Sequence, residues 1–445
     1  GTNGTDGAQG PAGPVGPEGP QGPAGTNGTN GTNGTNGTNG TDGLDGAGLV
    51  GATINANGNL ILTLTDGSAI NVGQVRVPYD SISVEQEVKL SAPDATTGDY
   101  FGYRIAVDGN TMVVSALFDD DGGESAGSAY VYVRNDGVWS FQAKLTAYDG
   151  EAGDYFGWGV SIDGDTIVIG APGDDDAGPT TGSAYVFFRE GTVWTQQAKL
   201  IASDAAAGDF LGISVSISGN TIVVGSYWDD KEGVENAGSA YVFERTVTSW
   251  TEQAKLTAPD ATASDEFGHD VVIDSNTVVV GSKTNNSSYV YVREGSEWSL
   301  QAILDGGYAR VSGETLVLGK KTAEVAGYTV YGRIGVSWIQ QAFITIPDQT
   351  QPENRFAAGS AIDGDTMVLG ASPNDGGEEG SGIYYIYRRY GLTWIQQDQF
   401  VVPKVAGTYR NTAISGNTVL VGLRFDDTEI PESGSVYVFG INTVE

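Results

Sequence analysis

The chain has no cysteine and a single histidine, His269, among 445 residues. The first absence removes disulfides, thiolate metal sites and a cysteine nucleophile. The second removes a Ser-His-Asp triad and any multi-histidine metal centre within one chain. Basic residues are also scarce: 22 Lys and Arg stand against 56 Asp and Glu, a formal charge of −34. A field of that sign repels nucleic acid and anionic membranes and keeps a protein in solution. Residues 1–80 hold six acids and one base, so nearly all of the charge lies on residues 81–445. No apolar run approaches the length of about eighteen residues that a membrane span needs, and no membrane insertion is expected. No charged segment followed by an apolar one stands at Gly1, so any targeting signal is expected to lie outside this sequence.

What is abundant is glycine, and its placement is periodic. Gly occupies every third position from Gly1 to Gly46, sixteen triplets without a miss. Three polyproline-II chains wind together only when the residue at the shared axis has no side chain, so residues 1–48 read as a collagen-like stalk of three chains. Extended, it spans roughly 150 Å at about 3.1 Å per residue. Pro11, Pro14, Pro17, Pro20 and Pro23 all take the second triplet position. From Gly25 the repeat becomes Gly-Thr-Asn, which lacks a ring to preset φ; hydration, side-chain hydrogen bonds or glycans must stabilise it. Thr29, Thr32, Thr35 and Thr38 are the candidate O-glycosylation sites. The Asn-Gly-Thr sequons follow automatically from the repeat.

The triplet register fails at Leu49. Residues 49–80 carry two hairpin signals, Asn57-Gly58 and Asp66-Gly67, between three short strand patterns with Leu60, Leu62 and Leu64 alternating. So short a segment cannot bury a core alone, but three copies at the end of a triple helix can pack their apolar faces around its axis. It resembles the neck modules that follow collagen-like repeats in bacterial and phage fibre proteins, and reads as a β-meander that clamps the register of a homotrimer.

Residues 81–445 repeat one unit. Its clearest copy runs from Ala143-Lys-Leu through Phe156-Gly, Asp163-Gly-Asp, Gly170-Ala-Pro172, Asp174-Asp-Asp and Gly182-Ser-Ala-Tyr to Trp194 and Lys199-Leu200. The tight turn recurs seven times, beginning at Asp108, Asp163, Ser218, Asp274, Ser312, Asp363 and Ser415. The Trp-x-x-Gln ending recurs six times, at Trp139, Trp194, Trp250, Trp298, Trp338 and Trp394. The missing copy is matched by residues 84–90, which align with Trp194 to Leu200 yet precede the first unit. These features predict an all-β, seven-bladed β-propeller closed by the N-terminal strand 81–90, which removes two exposed sheet edges.

Phe101-Gly, Phe156-Gly and Phe267-Gly, with Gly170-Ala-Pro172 and the weaker Gly370-Ala-Ser372, resemble FG-GAP repeats, the propeller family that includes the integrin α-subunit head. The resemblance is closest in units one to four and six. It implies a calcium loop between the first two strands of a blade. Here that connection has shrunk to the three-residue turns, and Asp108, Asp163 and Asp363 cannot supply six ligands. A second acidic loop recurs instead, at Asp119-Asp-Asp121, Asp174-Asp-Asp176, Asp229-Asp230, Asp426-Asp427 and Asn374-Asp375. Asp119, Asp121, Asp174 and Asp176 are the candidate calcium ligands, against solvated loops that cap strand ends. Asp99, Asp154, Asp209 and Asp265 recur before the Phe-Gly element and read as turn residues, since a catalytic pair needs one special place. Trp228, in the long loop of the third unit, falls outside the repeated Trp positions and is the candidate contact residue for a protein or glycan ligand.

The sequence thus predicts a non-enzymatic extracellular or cell-surface protein that requires no cofactor. Its expected partner is itself, as a homotrimer through the stalk and a filament beyond; the alternative is an adhesin whose propeller binds a protein or glycan on another cell, with or without calcium at the acidic loops.

Overall fold

The computed structural model describes residues 49–54, 59–65, 67–74, 81–231, 233–321, 326–345, 355–372, 382–402, 410–426 and 428–444. The Gly-X-Y tract, with Thr29, Thr32, Thr35 and Thr38, lies outside the described residues, as do Asn374 and Asp375. The chain divides into two compact units, residues 1–79 and 80–445. In the first, Leu49–Ile54, Asn59–Leu64 and Ala69–Gln74 form a three-stranded antiparallel sheet.

The second unit is built from seven four-stranded antiparallel sheets among its described residues, and no helix. Sheet 1 runs through Phe101–Asp108, Thr111–Ala116, Ser128–Asn135 and Val138–Leu145. The innermost strands of sheets 2 to 7 are Gly159–Asp163, Leu211–Ser218, Phe267–Asp274, Gly307–Ser312, Arg355–Asp363 and Arg410–Ser415. Six sheets use four consecutive strands. Sheet 7 is different: its fourth strand is Ser81–Leu90, paired along Ser435–Val444 from Leu90 opposite Val436 to Ser81 opposite Val444. The N-terminal strand therefore supplies the outer edge that the last sequence unit lacks.

The second strand of each sheet is buried on both faces, which is why it reads as an unbroken apolar run, such as Ile222-Val-Val-Gly225. Its side chains pack between neighbouring sheets. In one cluster Val168 and Val186 of sheet 2 meet Ile222, Val224 and Tyr241 of sheet 3. In another Phe101 and Tyr130 of sheet 1 meet Leu420 and Val438 of sheet 7. The last sheet thus packs on the first as any sheet packs on the next.

Main-chain contact accounts for the glycines of the Phe-Gly and Gly-Ala-Pro elements. A Cβ on Gly170 would lie 1.9 Å from the carbonyl oxygen of Gly212 in the next sheet, and one on Gly422 would lie 2.3 Å from that of Gly102. The two elements are the two sides of one seam, with backbone resting on backbone.

Three hydrogen-bond ladders cross these seams at increasing radius. At the inner turns each sheet donates a backbone N–H to a side chain of the preceding turn. Gly164 N reaches Asp108 Oδ2 at 2.7 Å, Ser275 N reaches Ser218 Oγ at 3.0 Å, and Gly313 N reaches Asp274 Oδ2 at 2.6 Å. Gly219 donates to Asp163, Gly364 to Ser312 and Gly416 to Asp363. Gly109 closes the circle on Ser415 Oγ at 3.0 Å. Farther out, Arg134, Arg189 and Arg389 donate to Thr418, Thr111 and Thr315 of the preceding sheet at 2.8–2.9 Å. On the outer strands the indole N–H of Trp194, Trp250, Trp298 and Trp338 donates to Gln142, Gln197, Gln253 and Gln301 at 2.8–3.0 Å. At the closing strand Glu87 stands in the place of that glutamine, and the Trp139 N–H finds no partner among the described residues. The whole is a propeller-like all-β fold.

Candidate functional site

The acidic loops follow the second strand of sheets 1, 2, 3 and 7. In each the first aspartate is buried: Asp119, Asp174, Asp229 and Asp426 are at most 3% exposed. The carboxylates converge, as their repetition implies, but they converge on lysine. In sheet 2 the Lys199 Nζ lies 2.9 Å from Asp149 Oδ2, 2.7 Å from Asp174 Oδ2 and 2.6 Å from Asp176 Oδ2. In sheet 1 Lys144 sits 2.9 Å from Asp94, 2.9 Å from Asp119 and 2.6 Å from Asp121. Lys255 joins Asp204 at 2.7 Å and Asp229 at 2.9 Å, and Lys89 of the closing strand joins Asp426 at 3.0 Å. A tyrosine ring forms one wall: Tyr130, Tyr185 and Tyr241 lie 5.2–5.3 Å beneath the ammonium groups. The Tyr130 hydroxyl is 2.7 Å from both Asp94 and Asp119.

The charges hold one another in their ionised forms. Burial alone would lower the Lys199 pKa, but hydrogen bonds to Asp174, Asp176 and Asp149 outweigh it and raise it well above the usual lysine range. Burial likewise works against ionised Asp149 and Asp94, yet bonds to Lys199 and Tyr185, and to Tyr130 and Lys144, keep both below the usual value. Burial, with the neighbouring carboxylates, pushes the Tyr130, Tyr185 and Tyr241 hydroxyls far up, so they act as donors.

Calcium at Asp119, Asp121, Asp174 and Asp176 does not fit this arrangement. The oxygen atoms that a hard cation needs already surround an ammonium group. Among the described residues no group of three or more histidine and acidic side chains is arranged to hold a metal ion. Sheet 4 supports the pairing from within the chain: Ile303 replaces the lysine and Asn285 the buried aspartate, while Tyr289 still bonds Asp260 at 2.8 Å. The lysine and the buried aspartate are lost together, while Asp260 remains. That joint loss was the sequence signal for the cage.

Asp99, Asp154, Asp209 and Asp265 are turn residues in the structure, each accepting the backbone N–H three residues earlier at 2.6–2.8 Å. Burial pushes Asp154 and Asp209 up to about 6. A raised carboxyl beside a lysine-paired one is a pattern that acid–base catalysts use. Here Asp154 with Asp174 and Asp209 with Asp229 repeat it in successive sheets, as a structural unit would.

Trp228 is 37% exposed. It belongs to the repeat after all: it directly precedes the buried Asp229 as Phe118 precedes Asp119 and Phe425 precedes Asp426. Each of these rings meets the residue before the Phe-Gly position. Trp228 packs edge-on against Phe210 at 4.7 Å, and Tyr100 lies 5.0 Å from both Phe118 and Phe425. Tyr100, Tyr155 and Phe210 hold left-handed φ of 55–57°, an expensive conformation for so bulky a residue. His269, in the place of Trp158 and Tyr103, packs between Tyr227 and Tyr308, and burial lowers its pKa. A cavity of about 340 Å³ opens beside Phe210 and Trp228, rimmed by Asp204, Asp230, Glu235 and Asn236.

The FG-GAP repeat profile matches residues 84–132, 139–187, 194–243 and 250–295, so the chain carries four such repeats. Each match begins in an outer strand and runs into the next sheet. The similarity read in the sixth unit is not among the matched segments. No curated protein matches the sequence. The WD40 domain of coronin from Toxoplasma gondii is similar in fold, with a TM-score of 0.51 and 8% identity over 82% of this chain and 87% of that one. A proposed 6-phosphogluconolactonase from Bacteroides fragilis aligns with a TM-score of 0.43 and 9% identity, over 80% of this chain and 95% of its own. Its counterpart from Bacteroides uniformis gives 0.43 and 11%, over 80% and 96%. These identities speak to fold alone, and the latter two scores carry no argument about activity.

Proposed function

We propose that the protein is a non-enzymatic structural component of an extracellular surface. In this reading a seven-bladed propeller head is carried on a collagen-like triple helix, and trimers assemble into a fibre or filament that requires no cofactor. The observation that carries the reading is the unbroken glycine period from Gly1 to Gly46, because such a period has no use except at the axis of three wound chains. The seven four-stranded sheets and their circular ladder support seven blades. The recurrence of each carboxylate pair from sheet to sheet speaks against a catalytic centre. Electron microscopy of native material, with sedimentation of the purified chain, tests it. Regular fibres and a trimeric mass are expected; a monomer at every concentration refutes it.

A second reading, an adhesin with the same stalk, is favoured by the cavity beside Trp228. Its rim offers hydrogen-bond acceptors next to an exposed indole, chemistry that suits a glycan hydroxyl or a partner's basic side chain. Trp228→Ala abolishing attachment of the purified protein to its target surface, with the head's melting temperature unchanged, would favour adhesion; undiminished attachment would exclude this site.

A further inference from the structure

We infer that the outer edge of sheet 5, the strand Ser337–Thr345, pairs with the same edge of a second copy of this chain and joins two heads about a two-fold axis. The inference rests on the fibre reading above and names the surface through which one head meets another; stalk and neck take no part in it.

The fourth strand of every sheet has a hydrogen-bonded neighbour on one side only, so each sheet ends at the rim in an open edge. Charged side chains guard such an edge, because a second strand cannot cover them without stripping their water. Six of the seven outer strands carry that guard: Lys144, Lys199 and Lys255 in sheets 1 to 3, Glu297 in sheet 4, Asp398 in sheet 6 and Lys89 in sheet 7. Ser337–Thr345 contains no charged residue. A bulge can also blunt an edge, but all seven outer strands have one at the same place. Charge is therefore what sets sheet 5 apart.

Apolar side chains stand where the guard is missing. Phe343 follows Trp338 at the spacing at which Lys199 follows Trp194, and Ile339 takes the place of Thr195. Ile339 is 44% and Phe343 38% exposed, and Val336, in the turn that leads into the strand, is 72% exposed. Sheet 4 extends this rim with exposed Leu300 and Ile303, and the Trp338 indole, donating to Gln301 at 3.0 Å, ties the two outer strands together. An uncharged edge of nine residues, about 30 Å long, is a template for another strand.

Charge also selects the occupant. Residues 307–345 hold four bases and two acids, whereas residues 91–200, which include sheets 1 and 2, hold five bases and seventeen acids. Two heads of so acidic a chain meet with least repulsion sheet 5 to sheet 5. A charged peptide would find no countercharge on this strand, while the same strand of a second copy is uncharged and apolar in the same places. Identical edges related by a two-fold axis run antiparallel, and the contact closes on itself, so heads join in pairs. Where a stalk holds three heads, each pair links one trimer to the next.

The test is sedimentation of the full chain over a range of concentrations. The mass is expected to rise at least twofold, from a three-chain base if the stalk winds and from a one-chain base if it does not. Ile339→Lys/Phe343→Lys gives sheet 5 the guard of the other edges and should raise the concentration required by roughly tenfold or more. Thr195→Lys, the same charge on the matching edge of sheet 2, should change nothing. Sheets 1 to 3 already carry lysine at the place of Phe343, and the melting temperature of each variant confirms a folded head. Contact is read directly with Gln340→Cys, which gives a chain without cysteine a single thiol. A bis-maleimide should join two such chains on a denaturing gel and should not join two Thr195→Cys chains. A wild-type mass independent of concentration overturns the inference, as does association that survives the double substitution or a crosslink that forms equally from Thr195→Cys. Association from a one-chain base refutes the stalk and upholds the edge; a constant three-chain mass does the reverse.

Discussion

Replacing Lys199 by methionine removes one charge from the middle of three. The Asp174 side chain is 4% exposed and loses its counterion, that of Asp149 at 17% loses it partly, and that of Asp176 at 51% is largely solvated already. Leaving a buried charge unpaired costs about 3–5 kcal/mol, and an exposed pair contributes only about 0–1. Tyr185 at 2.5 Å and Ser183 at 2.9 Å still donate to Asp174, so about 3 kcal/mol is expected. With an unfolding entropy of about 2.1 cal/mol/K per residue over residues 80–445, the melting temperature falls by roughly 4 °C. Calorimetry with and without calcium is the assay. The variant, with its carboxylates uncovered, should recover part of the loss in Ca²⁺, while the wild type should not respond. Adding Asp174→Asn should also restore stability, as Asn285 beside Ile303 does in sheet 4. A wild-type melt that rises with calcium as much as the variant's refutes the reasoning, and so does a variant that melts like the wild type.

Three further outcomes follow from the same geometry. Asp154 and Asp209 have folded pKa values of about 6, above an unfolded value of about 3.9, so the folded state binds protons more readily. Stability should rise as pH falls between about 6 and 4, then decline as Asp94, Asp149, Asp204 and Asp426, all held low, are protonated; Asp154→Asn should flatten the first limb, and an unflattened melting profile would refute the assignment. Gly170→Ala places a methyl group 1.9 Å from a backbone oxygen that has no rotamer to yield; a loss of about 3 kcal/mol or more in denaturant titration is expected, and a loss under about 1 would contradict the seam. Deleting residues 81–90 exposes the edge of Ser435–Val444 and removes Lys89 from Asp426; the melt should fall sharply, and an unchanged melt would deny the closure.

The architecture was legible because its signals are local. Asp-Gly and Ser-Gly turns mark six of the seven inner hairpins and Asp274-Ser275 the other, and the missing Trp-x-x-Gln ending points to residues 84–90. The cages were not legible for the opposite reason. Lys199 meets Asp176 across 23 residues and Asp149 across 50, and an Ala-Lys-Leu strand end looks the same whether its lysine is solvated or caged. Acidic loops read alone suggest a metal because sequence shows the ligands and hides the cation already supplied. Trp228 looked unique only when compared with the other tryptophans; set against Phe118 and Phe425 it is one of a series. In sequence the inner turns show only as tight turns, while in the structure Asp108 and its equivalents also reach across to the neighbouring turn.

The repeat matched in sequence is out of step with the sheet seen in space: it opens with one sheet's last strand and ends within the next sheet. A duplication or excision cut at the ends of the sequence unit therefore adds or removes a complete blade. The strand on each side of the cut keeps its partner, and no half-sheet is stranded. Residues 81–90 would still find the final three strands, whatever their number. The number of such sheets is thus open to change by recombination alone, and the fit of one seam against the next limits which numbers pack together.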